Sequence, residues 1–150
     1  MKLYRITREC YAYDLSGKGG LLSSARWHDH MPVIYSSVNS STSILEKLVH
    51  MQQAEIHHDL VMITISVNDD WDSEVIMPEQ LPGGWDMYPG PRILKQIGNA
   101  WLTGMSSPLL FVPSVIDKYA QNVLINPLHP VCTGLAVIET IPFTFDARLK

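Results

Sequence analysis

The longest regular pattern in the chain is a strict alternation over 60–67. Val61, Ile63, Ile65 and Val67 fall on one side, and Met62, Thr64 and Ser66 on the other. A period of two marks a strand with one face against a core. Just before it, Ile44, Leu45, Leu48, Val49, Gln52 and Ile56 recur at helical spacing, which predicts an amphipathic helix over about 42–56. Shorter apolar runs predict strands over 3–6, 33–37, 109–112, 122–126 and 134–141. A second helix is expected over about 91–102, with Pro91 suited to its first turn and Gly104 to its end. The glycine-rich run 16–20 reads as a flexible loop. The stretch 69–90, rich in Pro, Gly, Trp and acidic residues, reads as an irregular excursion that is either a lid or an interaction surface. Strands and helices do not alternate as βαβ units, so the fold class is α+β: one domain over 1–150 with a mixed, mostly antiparallel sheet.

Composition narrows the function. At 150 residues, 46% hydrophobic and 17% charged, the chain has enough apolar content for one core and too much for disorder. The net charge of −4, with no cluster of Lys or Arg, argues against direct nucleic-acid binding. No apolar stretch approaches the roughly 20 residues of a membrane helix, and the start lacks a signal-peptide pattern. A soluble cytoplasmic protein is expected, with Cys10 and Cys132 as thiols rather than a disulfide.

Several residues carry candidate chemistry. Lys18 follows Gly17, but Gly19 stands where a phosphate-binding P-loop needs Ser or Thr. His28 and His30, with His57, His58 and Asp59, lack a third ligand at a metal-site spacing and read as solvated; a zinc site is the lesser alternative. Ser43 and Glu46 fit a capping box, yet Glu46 also flanks the apolar stripe of its helix, where a carboxylate can border a cleft. Arg26 offers a fork suited to a pyrophosphate, or is an ordinary surface arginine. Tyr35 reads as core filler with a satisfied hydroxyl. Ser114 lacks a nucleophile elbow and reads as a hydrogen-bond donor. Asn126 ends a strand ahead of Pro127.

Taken in order, the segments Tyr4-Arg5-Ile6, Ser24-Ala25-Arg26-Trp27-His28, Pro32-Val33-Ile34-Tyr35, Ile44-Leu45-Glu46, Val112-Pro113-Ser114, the run 122–130 and the ending Phe143-Thr144-Phe145-Asp146-Ala147-Arg148-Leu149 form a series. It resembles the RES-domain family, named for its Arg, Glu and Ser, over essentially the whole chain. The resemblance implies a fold related to ADP-ribosyltransferases and a toxin of a toxin–antitoxin pair that degrades NAD at the nicotinamide–ribose bond, by hydrolysis or phosphorolysis. NAD is then a substrate, with no separate cofactor and no metal. The implied partner is a Xre-type antitoxin that blocks the active-site entrance and joins a higher-order complex. The implied catalytic residues are Glu46, Arg26 and Tyr35; Arg5, Arg26, Tyr35, Ser114 and Asn126 are implied to bind NAD. Water, inorganic phosphate or a protein side chain remains open as the acceptor. The alternatives are an ADP-ribosyltransferase that modifies one host protein and a non-catalytic binding module.

Overall fold

The computed structural model describes residues 1–51 and 57–149. Among them the chain runs through β1 (Lys2–Arg8), α1 (Lys18–Leu22), β2 (Ser24–Ala25), β3 (His28–Asp29), β4 (Ile34–Ser37) and α2 (Ser40–His50). It continues with β5 (Leu60–Ser66), β6 (Ser73–Val75), α3 (Arg92–Gly104), β7 (Leu109–Pro113), β8 (Gln121–Ile125) and β9 (Ala136–Pro142). A seven-stranded sheet has the order β6-β7-β8-β4-β1-β5-β9, and β2 and β3 form a separate hairpin. Only β6 and β7 run parallel among the sheet's described neighbours. The fold is therefore α+β with a mostly antiparallel sheet.

Consecutive strand residues enter different cores, as a period of two requires. Leu3, Ile34, Ile63, Ile65, Val123 and Ile125 pack in one cluster. Val33, Leu110, Val112 and Leu124 pack in the other, against Leu94, Trp101 and Leu102 of α3. β1 is registered to β5 along its whole length, from Lys2↔Ser66 to Arg8↔Leu60. To β4 it is registered at one position, Tyr4↔Ser37. The two strands part beyond that pair, on the side of Arg5 and Tyr35, and the sheet opens there.

Several local expectations are corrected. The run 16–20 is no flexible loop. Gly17 takes a left-handed φ of 71° ahead of α1, and a Cβ on Gly20 would lie 2.3 Å from the Met31 carbonyl oxygen. These glycines pack α1 tightly onto the chain before β4. Helix α2 starts at Ser40 rather than 42, because Asn39 caps it by accepting from the Thr42 amide at 2.8 Å. Ser43 thus lies inside the helix and donates to the Tyr4 carbonyl at 2.7 Å, so the capping box with Glu46 does not form. The predicted extension over 52–56 lies outside the described residues. The excursion after Asp69 contributes the edge strand β6, and α3 is closed by Met105 at a φ of 53° rather than by Gly104. Asn39→Ala is expected to cost about 0.5–2 kcal/mol of stability, measurable by denaturant unfolding, because it removes the side-chain cap on the helix that carries Glu46.

Candidate active site

Helix α2 presents Glu46 towards the end of the sheet where β7 finishes and β8 begins. Its Oε1 accepts from Ser114 Oγ at 2.9 Å and from Asn122 Nδ2 at 2.6 Å. Ser114, 2% exposed, is itself fixed, since its Oγ accepts from the amides of Ile116 and Asp117 at 3.2 and 3.1 Å. Asn122 is fixed from behind by Ser37, which donates to its Oδ1 at 2.7 Å. Oε2 of Glu46 lies 3.9 Å from His50 Nε2, beyond hydrogen-bonding distance, and the Glu46 side chain is 22% exposed. One carboxylate oxygen is immobilised by two donors while the other keeps its lone pairs, an arrangement suited to holding a negative charge in one place.

Ser114 opens onto a cleft of about 230 Å³ walled by Trp85, Asp86, Pro113 and Lys118. A second cleft, of about 250 Å³, lies where β1 and β4 part and is walled by Arg5, Gly20, Ala25, His28, Val33 and Tyr35. Burial lowers the Arg5 pKa from the ordinary arginine value, with the charge of Asp14 opposing the shift. Among the described residues no carboxylate forms an ion pair with Arg5. A guanidinium in that position favours an anion beside it.

Arg26 lies in the turn of the β2–β3 hairpin, next to Ala25 of the second cleft wall. Its Nη1 donates to the Trp85 carbonyl at 2.7 Å and its Nη2 to the Met87 carbonyl at 3.0 Å, and the side chain lies against Gly90. It therefore clasps the segment that lines the first cleft. The hairpin is set in place by α3, since Asn99 Oδ1 accepts from the Asp29 amide at 3.0 Å and Gly98 sits directly against the Trp27 carbonyl.

Tyr35 is half-buried, and its hydroxyl is satisfied as expected. The oxygen accepts from the Trp27 amide at 3.3 Å and lies 2.9 Å from His28 Nδ1. Burial also pushes its ionisation well above the ordinary tyrosine value. His28, expected to be solvated, is instead 2% exposed, because α1 and the hairpin close over it. Its Nε2 lies 3.1 Å from the Gly20 carbonyl. Burial holds the His28 pKa below the usual 6.5, against hydrogen bonds to backbone that favour the charged ring. The unfolded chain therefore takes up a proton near pH 6.5 that the folded chain resists. Stability should fall as pH drops below about 6.5, and His28→Asn should flatten that slope in denaturant titrations run between about pH 7.5 and 5.

The structure thus groups Glu46 with Ser114, and Arg5 with Tyr35, and commits Arg26 to the carbonyls of Trp85 and Met87. Asn126 does not join them. It is 1% exposed, and its amide donates to the Leu102 carbonyl at 3.1 Å, tying the end of α3 to β8. Asn122, near the start of β8, fills the polar position beside Glu46 instead. Its only signal in the sequence is strand parity, which Asn122 and Asn126 share. His28 escapes a local reading as a buried group because Arg26, Asp29 and His30 around it are polar and only Trp27 is apolar. Among the described residues no three His, Cys, Asp or Glu side chains are gathered as a metal site. Cys10 and Cys132 are free thiols, the first exposed and the second buried. No helix among the described residues is long and apolar enough to cross a membrane.

Comparison with known proteins follows the same lines. The RES domain family matches residues 2–146. Toxin Res of Pseudomonas putida is 37% identical over 99% of both chains. Toxin Res of Yersinia enterocolitica is 33% identical over the full length of both. The Prs ADP-ribosylating toxin of a Sphingobium species is 31% identical over 97% of this chain and 94% of its own. Among solved structures, the M. tuberculosis MbcT–MbcA toxin–antitoxin complex contains a chain that superposes with a TM-score of 0.76 at 18% identity, covering 95% of this chain and 84% of that one. That likeness concerns the fold.

Proposed function

Because the chain belongs to the RES domain family, we propose that it is the toxin of a toxin–antitoxin pair and consumes NAD by breaking the nicotinamide–ribose bond. The observation that carries this reading is the Glu46 carboxylate, with Oε1 fixed by Ser114 and Asn122 and Oε2 facing His50 Nε2 at 3.9 Å, too far for a hydrogen bond. In NAD the nicotinamide is a cationic leaving group. When its bond to the ribose carbon breaks, the electron pair departs with the now neutral nicotinamide, and positive charge develops on the ribose. A carboxylate held rigidly nearby stabilises that charge most where it needs no reorganisation.

Arg5 meets the pyrophosphate as the cation of the second cleft, and Arg26 contributes those N–H groups not turned to Trp85 and Met87. Tyr35 offers its ring to the nicotinamide, and Ser114 orients the ribose through the carboxylate it holds. Each cleft alone falls below the roughly 300 Å³ at which drug-sized ligands begin, so a dinucleotide extends beyond either one. The acceptor is water or inorganic phosphate in this reading. The protein acts in the cytoplasm, where NAD is available, and a Xre-type antitoxin encoded beside it covers the cleft mouths.

A second reading, transfer of ADP-ribose onto a host protein, is favoured by the name of the Sphingobium relative. Purified protein incubated with NAD should release nicotinamide stoichiometrically with NAD loss. A cell lysate given NAD labelled in its adenylate half separates the readings: label on one protein band supports transfer to protein, and label only in small molecules supports hydrolysis or phosphorolysis. Unchanged NAD in both experiments would overturn the enzymatic assignment.

A further inference from the structure

The imidazole of His28 is buried behind Tyr35, and its surroundings define its hydrogen-bonding roles. A carbonyl oxygen can only accept, so the contact from His28 Nε2 to the Gly20 carbonyl places a proton on Nε2. In a neutral ring Nδ1 is then an acceptor, and the partner 2.9 Å away is the Tyr35 hydroxyl, which must donate. The Tyr35 oxygen in turn accepts the Trp27 amide. The result is a directed chain, Tyr35 O–H to His28 Nδ1 and His28 Nε2–H to the Gly20 carbonyl, that ends on main chain. Gly20 cannot drift, because the Met31 carbonyl and Val33 occupy the space where a Cβ would sit. The two rings lie with centroids 5.5 Å apart and tilted by 54°, so the contact is made by the hydroxyl and not by stacking.

We propose that His28 is a positioning residue: as its Nε2–H tautomer, anchored on the Gly20 carbonyl, it accepts the Tyr35 hydroxyl hydrogen and fixes the angle at which the Tyr35 ring faces the cleft shared with Arg5. The Tyr35 hydrogen is thereby committed to His28. Towards a ligand the residue presents a ring face and an oxygen lone pair, and it donates no proton. This deepens the NAD-consuming reading, on which its kinetic test rests, while its spectroscopic test does not.

A double-mutant cycle on NAD turnover, with imidazole ¹⁵N spectra of the same proteins, tests the proposal. His28→Leu should lower turnover roughly 10- to 100-fold by loosening the ring. His28→Asn, which keeps an acceptor near the Nδ1 position, should recover most of that loss. In a Tyr35→Phe background His28→Leu should add little further loss, since the hydroxyl it acts through is gone. The spectra of the unmodified protein should show a protonated Nε2 and an unprotonated Nδ1, and Tyr35→Phe should shift the Nδ1 resonance. Should His28→Leu not fold, His28→Asn and the spectra still decide the matter. Full turnover in folded His28→Leu, multiplicative losses in the double variant, or a protonated Nδ1 would each overturn the proposal. If the unmodified protein leaves NAD intact while the spectra show the expected tautomer, the functional reading fails and the hydrogen-bond chain stands.

Discussion

Glu46→Gln is expected to lower NAD consumption by at least ~10²-fold with little change in stability. The amide oxygen of Gln can take the place of Oε1 and accept from Ser114 and Asn122, the two groups that hold the side chain now. What disappears is the charge. A neutral amide stabilises a developing ribosyl cation far less than a carboxylate does, and losing one preorganised electrostatic contact typically costs about 2.7–4 kcal/mol of barrier. The structural cost is small because both hydrogen bonds persist and the side chain is not entombed. A melting temperature near that of the parent protein, together with residual turnover below ~1%, is the expected pair of results. A folded Glu46→Gln protein that still consumes NAD at the full rate removes the carboxylate from the mechanism.

The second large effect is on architecture. Gly98 lies inside α3, and helix propensity alone favours Ala there by about 0.8–1 kcal/mol. Contact reverses the sign. A Cβ on Gly98 would stand 1.6 Å from the Trp27 carbonyl oxygen and 2.7 Å from its carbonyl carbon, both main-chain atoms that no rotamer change can move aside. Either α3 withdraws or the β2–β3 hairpin does, and the hairpin carries Arg26, Trp27 and His28. Gly98→Ala should therefore destabilise by about 1–3 kcal/mol or more, a fall in Tm of roughly 2–12 °C, and should depress NAD consumption with it. Gly104, at the other end of the same helix, has nothing within 4 Å of where an added methyl group would sit, so Gly104→Ala should be neutral or slightly stabilising. Thermal melts of the two variants side by side test this directly. Equal stability would mean that the close approach of α3 to the hairpin is not what holds the hairpin.

Much of the sheet was legible because its signals are local. The alternation around Ile63 and Ile65 is a property of eight consecutive residues, and β5 lies where it indicated. The runs before and after Pro113 became the antiparallel neighbours β7 and β8. What escaped reading depends on partners far away in the chain. Ser43 and Glu46 have capping-box spacing, but Asn39 sits one turn earlier with Thr42 in reach, and that contact wins. The choice between Asn122 and Asn126 depends on which end of β8 meets α2, set by the Ser37↔Asn122 register and invisible in the local sequence. His28 looks solvated among Arg26, Asp29 and His30, and it is buried by Gly20 and Tyr35, from two other elements. Gly20 has the look of a flexible link, yet it marks a place where two backbones nearly touch, as does Gly98 inside α3.

The clasp of Arg26 on the Trp85 and Met87 carbonyls is made with peptide oxygens. Every residue type supplies the same oxygen, so the grip does not depend on what projects from positions 85 and 87. Trp85 is tied to the core by its own side chain, whereas Met87 is exposed. Met87 is thus free to be exchanged while the path of the rim stays constant, which makes that position the natural place for retuning what the molecule recognises without rebuilding the frame beneath.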